Sequence, residues 1–274
     1  MLEITNLTKR FKDHLVLDHI SLNVPDGSIF GFIGSNGAGK TTTMKLILGL
    51  LKADEGEIKV NGEPVEFGQS KTNRNIGYLA DVPQFYNYLN AKDYLSLCGR
   101  ISDMPAKTIA ARSDDLLNLV GLSTKKRIGS FSRGMKQRLG VASALLNRPK
   151  LLICDEPTSA LDPVGRKEIL DILNQIKGET TILFSTHILS DVERICDHVA
   201  LLNHAHIVLD GELRELMEKH PLHSKTLHFS SPADKTSFLS LPDITMHYRI
   251  TDESDTSITI STMNLESLLM EAFQ

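Results

Sequence analysis

Gly34-Ser35-Asn36-Gly37-Ala38-Gly39-Lys40-Thr41 fits the spacing G-x-x-x-x-G-K-[ST]. Glycines at these places let the backbone aim successive N–H groups at phosphate oxygens, and a helix starting where the loop ends adds partial positive charge. Lys40 is suited to neutralise the β- and γ-phosphates of a nucleotide. The Thr41 hydroxyl, followed by Thr42 at the helix start, is suited to bind magnesium. A second group lies downstream, where the apolar run Leu151-Leu152-Ile153-Cys154 ends in Asp155-Glu156. Two adjacent carboxylates at the end of a strand fall on the carboxyl edge of a sheet, where α/β folds bind ligands. Asp155 can hold magnesium through its water shell, and Glu156 can accept a proton from an attacking water.

Three further segments carry polar groups in telling places. Phe131-Ser132-Arg133-Gly134-Met135-Lys136-Gln137-Arg138 precedes a helical pattern of Leu139, Ala142, Leu145 and Leu146. A hydroxyl and bare N–H groups at a helix start form an anion site, although Ser132 also suits a simple N-cap. Asp162, in Ser159-Ala160-Leu161-Asp162, is placed to cap the helix begun by Pro163. His187 follows an apolar strand in Phe184-Ser185-Thr186-His187. The pairs His204 with His206 and His220 with His223 lack the cysteine or carboxylate spacing of a metal site and read as solvated surface.

The elements that must position these residues follow from periodicity. Ile4 to Val24 alternates in short runs, as half-buried antiparallel strands do, and Pro25-Asp26-Gly27 marks a turn. Ser28 to Ile33 reads as a strand. Thr41 to Leu51 reads as a helix with Met44, Ile47, Leu48 and Leu51 on one face. Helical spacing over roughly Lys92 to Asn147, with Gly121 as a stop, indicates an inserted helical subdomain spanning about residues 85–148. Strands at Leu151–Asp155, Thr181–Ser185 and Val199–Asn203 then alternate with helices such as Pro163–Lys177. That alternation implies a parallel sheet covered on both faces, an α/β fold.

After Gly211 the pattern changes. Leu227 and Phe229, then Ile244 to Ile250, then Ile258 and Ile260 give period-two strands, with Asp252-Glu253-Ser254-Asp255 as a hairpin turn. A last helix carries Leu265, Leu268, Leu269, Ala272 and Phe273. The expected organisation is a nucleotide-binding domain over residues 1–216, a linker over 217–225, and a small β-α-β-β-α appendage over 226–274.

Composition narrows the function. With 274 residues, of which 41% are apolar, the chain can bury a full core. Its apolar runs are far shorter than the ~18 residues that cross a bilayer. The N-terminal ten residues mix charges into apolar positions and lack a secretory core, so a cytosolic location is expected. Three widely spaced cysteines, Cys98, Cys154 and Cys196, suggest buried thiols rather than disulfides or a metal cluster. A net charge of -4 with interspersed signs offers no basic surface for nucleic acid.

The Ser-x-Gly turn ahead of a strand ending in Asp-Glu resembles the signature motif and Walker B strand of the ATP-binding-cassette (ABC) ATPases, whose usual signature is LSGGQ. The resemblance covers most of the chain. It implies a phosphate-loop NTPase fold of RecA-like parallel sheet with an N-terminal antiparallel β subdomain, ATP and Mg²⁺ as ligands, and ATP hydrolysis by a dimer. It implies that Ser132 and Gly134 cover the γ-phosphate held by a second ATPase subunit, and that Asp162 lies on a loop crossing that interface. His187 matches the switch histidine that touches the γ-phosphate and orients Glu156. Phe11 lies where the family stacks an aromatic on adenine, although it also suits an ordinary core residue.

The chain departs from the family pattern in two places. Arg133 replaces the second signature glycine and Met135 the final glutamine. After Gly77-Tyr78-Leu79 the family's Q-loop glutamine is matched by Asp81 without a gap, or by Gln84 after a three-residue insertion. Some exporter ATPases carry an acid there and continue with Pro and Tyr, as Pro83 and Tyr86 do here, which favours Asp81 as a metal-site residue. The segments look most like bacterial exporters of the bacitracin and lantibiotic resistance group. This implies separate membrane-spanning partner subunits, a peripheral place on the cytoplasmic face of the membrane, and a cargo of peptides, antibiotics or lipid-like compounds. A soluble ABC ATPase acting on nucleic acid or ribosomes is the alternative, but the chain has neither the long coiled-coil insertion nor the paired cassettes of those groups.

Overall fold

The computed structural model describes residues 1–69, 71–123, 125–219, 224–240 and 248–262. Contacts divide the chain into two compact units, Met1–Asp210 and Gly211–Gln274. The first unit opens with the antiparallel pair β1 (Leu2–Phe11) and β2 (His14–Val24), followed by β3 (Ile29–Ile33) and α1 (Lys40–Ile47). β4 (Glu55–Val60), β5 (Glu63–Pro64) and β6 (Ile76–Leu79) lead into the helices α2 (Ala91–Ile101), α3 (Ala106–Leu119) and α4 (Arg133–Ala144). β7 (Leu151–Asp155), α5 (Pro163–Gln175), β8 (Thr181–Thr186), α6 (Leu189–Ile195), β9 (His198–Asn203) and β10 (His206–Glu212) follow.

A four-stranded antiparallel sheet runs in the order β2-β1-β4-β5, and a six-stranded sheet in the order β10-β9-β3-β8-β7-β6. β3 pairs in parallel with both β8 and β9, and β7 pairs in parallel with β6 and β8. Every residue of β7 is buried, and the period of two explains how. Leu151 and Ile153 join the cluster shared with the antiparallel sheet and α1, while Leu152 and Cys154 join the cluster shared with α2 to α5. Both faces of the sheet are therefore covered, which is why its strands read as continuous apolar runs. Burying a side chain such as Phe184 completely contributes about 1.5–3 kcal/mol.

Local chemistry sets where the elements begin and end. The turn after β2 has Gly27 at φ +70°, a left-handed conformation that favours glycine. α1 stops earlier than the apolar spacing to Leu51 suggests, because Gly49 turns left-handed at φ +67°. The side chain of Asn90 caps α2 by accepting a hydrogen bond from the Asp93 N–H at 2.9 Å. Of the three free cysteines, Cys154 is fully buried, whereas Cys98 and Cys196 are only half-buried.

The second unit contains α7 (Leu213–Lys219), β11 (Ser224–His228), α8 (Pro232–Leu239), β12 (Tyr248–Glu253) and β13 (Ser257–Thr262). Its three strands form an antiparallel sheet in the order β11-β13-β12. Of the linker expected over 217–225, residues 217–219 belong to a helix and 224–225 to a strand, while 220–223 lie outside the described residues. α7 runs to Lys219, β11 starts at Ser224, and the division between units falls at Asp210. Leu213-Arg-Glu-Leu-Met-Glu-Lys219 contains only good helix formers and neither Gly nor Pro, so it folds as a helix rather than a tether. The hairpin turn also shifts: Asp252 and Glu253 remain in β12, and the reversal is closed by the Ser254 N–H donating to the Ser257 carbonyl at 2.9 Å. The expected terminal helix around Leu265–Phe273, Ile244 and Met246, and the pair His220 with His223 lie outside the described residues.

Candidate functional site

The phosphate loop joins β3 to α1 at the carboxyl edge of the parallel sheet. Gly37 at φ +86° and Gly39 at φ +115° hold left-handed conformations, and a Cβ added at Gly34 would stand 2.8 Å from the Leu202 carbonyl oxygen. The glycines are thus dictated by backbone shape and by close approach. Lys40 is almost wholly buried, and its Nζ donates to the carbonyl oxygens of Gly34 at 2.6 Å and Ser35 at 3.1 Å. The ammonium folds back over the loop it follows.

Asp155 ends β7 directly opposite Ser185 on β8. Its Oδ2 accepts from Thr41 Oγ1 at 2.9 Å and its Oδ1 from Ser185 Oγ at 3.0 Å. Glu156 leaves the strand at φ +50°, a conformation uncommon for a residue with a Cβ, and its N–H donates to the Ser185 carbonyl at 3.1 Å. That turn points the carboxylate inward. Oε2 lies 2.8 Å from His187 Nδ1. Oε1 is buried without a hydrogen bond, while Lys40 Nζ stands 3.1 Å away. Glu156 is therefore bracketed by an ammonium and an imidazole.

A cavity of about 500 Å³ opens over this group. It is lined by Phe11, Lys40, Thr41, Asp81, Asp155 and Glu156, together with Asn36, Gly37, Gly39 and Thr42. Phe11 keeps 45% of its surface exposed at the rim, so it is not a core residue, and Lys9 Nζ sits 5.3 Å from its ring centroid. Ser35 and Ala38 line an adjoining cavity of about 420 Å³. Three oxygen-bearing side chains, Thr41, Asp81 and Asp155, face the main cavity, and an all-oxygen set of this kind suits Mg²⁺.

Ser132, Gly134 and Asp162 are not among the residues lining that cavity. Ser132 caps α4, its Oγ accepting from the Met135 N–H at 3.2 Å, and the space around Gly134 is open. Asp162 caps α5, its Oδ1 accepting from the Gly165 N–H at 3.3 Å. Of the two residues competing for the loop after β6, Asp81 reaches the cavity, whereas Gln84 is turned onto the Val82 carbonyl at 3.4 Å. His206 Nε2 lies 3.5 Å from Asp18 Oδ2 at the surface.

Sequence reasoning missed several supporting groups. Ser185 and Ser159 each hold a site carboxylate, Ser159 Oγ donating to Asp81 Oδ1 at 2.5 Å. Burial, with the neighbouring Asp155 carboxylate, pushes the Tyr78 hydroxyl up to about 12. Buried Asp191 accepts from Thr158 Oγ1 at 2.7 Å and ties the segment after Glu156 to α6. Only the parallel register of β7 with β8 could have flagged Ser185 in advance.

The family model for ABC transporters matches residues 17–159. The bacitracin transport ATP-binding protein BcrA of Bacillus licheniformis is 43% identical over 207 residues, covering 74% of this chain and 67% of that protein. The lantibiotic transport ATP-binding protein SrtF of Streptococcus pyogenes is 40% identical over 215 residues, covering 77% and 91%. A solved ATP binding subunit of an ABC transporter superposes with a TM-score of 0.72 at 32% identity, over 80% of this chain and 92% of that one. With a phosphate loop, a paired-carboxylate strand end and these relatives, the chain belongs to the ABC transporter family, as one of its ATP-binding, ATP-hydrolysing subunits.

Proposed function

We propose that this chain is the cytoplasmic-face ATPase subunit of an exporter for peptides, antibiotics or lipid-like compounds, acting with a second ATPase subunit on separate membrane-spanning subunits. One observation carries the mechanism: the Glu156 carboxylate, bracketed by Lys40 and His187 at the mouth of the phosphate-loop cavity.

In this reading the loop N–H groups from Ser35 to Thr42 hold the β- and γ-phosphates of ATP, and Lys40 exchanges its two backbone carbonyls for phosphate oxygens. Glu156 takes the proton of the attacking water, and His187 fixes the direction in which its carboxylate points. Thr41, Asp155 and Asp81 hold Mg²⁺, which supplies charge neutralisation at the phosphates when bound. Phosphoryl transfer asks little covalent help of a protein, so positioning and electrostatics provide most of the acceleration. The exposed face of Phe11 stacks on adenine.

Ser132, Gly134 and Asp162 act on the partner subunit's nucleotide, a reading supported by the open space around Gly134 at the start of α4. The exposed Val82, Tyr86 and Tyr88, just beyond Asp81, offer an apolar patch for the membrane-spanning subunits. Among the described residues no helix is long and apolar enough to cross a membrane, which fits a peripheral role. The cargo class rests on the similarity to the bacitracin and lantibiotic transport ATP-binding proteins.

The test is Glu156→Gln. The variant is expected to bind ATP with near-normal affinity, lose at least about 100-fold in turnover, as removal of a general base does, and accumulate as an ATP-bound dimer. Hydrolysis at the normal rate removes Glu156 from its assigned role.

A further inference from the structure

Asp81 stands at a junction of three segments. It lines the nucleotide cavity, its Oδ1 accepts from Ser159 Oγ at 2.5 Å, and the same oxygen lies 3.7 Å from Arg133 Nη2. The loop after β6, the turn after β7 and the first residue of α4 therefore meet at one carboxylate. Arg133 and Asp81 are also the two places where this chain departs from the family's signature glycine and Q-loop glutamine. The departures lie against one another.

Charge explains why they should. A neutral amide in the place of Asp81 would need no counter-ion. A carboxylate added to a cavity that already holds Asp155 and Glu156 raises the repulsion among like charges. Lys40 cannot relieve it, since its ammonium is committed to Gly34, Ser35 and Glu156. Arg133 does reach Asp81, from the N-terminus of α4, where the helix dipole adds to its charge. About half of each side chain is exposed, 48% for Arg133 and 46% for Asp81, so water screens the pair and leaves it weak enough to be displaced. The shorter Ser159 bond is what keeps the carboxylate at the rim when the pair opens.

We infer that Arg133 is an exchangeable counter-ion for Asp81: the guanidinium and Mg²⁺ compete for one carboxylate, so loading with metal and nucleotide releases Arg133 from its own chain. The released charge then stands beside Ser132 and Gly134, at a helix start open to the surroundings, and strengthens that end for an anion carried by a second subunit. This makes Arg133 a positioning residue that reports the state of its own site to the neighbouring one. The inference rests on the reading of Asp81 as a metal-site residue.

The measurement is the fold by which Mg²⁺ tightens binding of a fluorescent, non-hydrolysable ATP analogue to the full chain, followed by anisotropy, with circular dichroism to establish that each variant is folded. Arg133→Gln removes the competitor and is expected to raise that factor about two- to fivefold, the scale of an exposed ion pair. Arg133→Lys keeps the charge and should return the factor towards the unmodified value. Asp81→Asn should lower it, and Arg133→Gln added to Asp81→Asn should change nothing more. An unchanged factor in Asp81→Asn overturns the metal reading of Asp81 and this inference together. A lowered factor in Asp81→Asn, with Arg133→Gln unchanged or reduced, overturns the competition alone.

Discussion

Ser185 takes part in no chemical step, yet the site depends on it. It is wholly buried on β8, and its Oγ satisfies the Asp155 oxygen that Thr41 does not reach. A carboxylate almost completely removed from water must have both oxygens partnered, because each unpaired one carries its full desolvation cost. Ser185→Ala is therefore expected to lower stability by about 1–3 kcal/mol, read as a drop in the thermal unfolding midpoint of the nucleotide-free protein. An unchanged midpoint would show that Asp155 does not need this donor. The residue was invisible in the sequence for a physical reason. A small hydroxyl inside an apolar strand looks like filler, and only the pairing of Asp155 with Ser185 across two strands gives it a partner.

At the scale of elements, α5 shows how one residue can serve the local fold while being a candidate for the interface. Asp162 caps the helix, Pro163 fills its first turn, and Gly165 leaves room for the cap, since a Cβ there would stand 2.8 Å from Asp162 Oδ1. Asp162→Ala should cost about 1 kcal/mol in denaturant unfolding, the usual worth of an N-cap, whereas Asp162→Ser keeps a capping oxygen and should keep most of that stability. Equal losses in both variants would show that the stability comes from somewhere other than the cap. The contiguous motifs were the legible part of this molecule. The phosphate loop, the Asp155-Glu156 strand end and the two capped helix starts each fall within a few residues, so spacing alone places them. What spacing could not show was assembled from distant segments, as at Asp81, where residues 81, 133 and 159 converge. Where the expected linker overlaps a described helix, at residues 217–219, the reason is different: α7 is a two-turn helix, too short for its periodicity to stand out from a tether.

At the scale of the whole molecule, the question is whether one chain contains a complete site. Its phosphate loop, Asp155 and Glu156 line one cavity, with His187 behind Glu156, but Ser132 and Gly134, which start α4, are not among the residues lining that cavity. Two chains exchanging these halves around a two-fold axis would make two equal composite sites. Gly134→Asp tests this without disturbing the fold. No heavy atom lies within 4 Å of a Cβ placed there, and an acid in the first turn of a helix is favourable to the helix itself. The same acid repels a phosphate approaching from outside. Lys40→Ala disables the other half by removing the phosphate-loop ammonium. Each variant alone should be nearly inactive. Mixed in equal amounts and allowed to exchange, half of the dimers pair one of each, and in those the intact loop of the Gly134→Asp chain meets the intact helix start of the Lys40→Ala chain. One site in two is then whole, and ATPase activity should recover to about a quarter of that of the unmodified protein. If the mixture hydrolyses ATP no faster than the two variants measured separately, the helix start acts within its own chain, and the composite site is wrong.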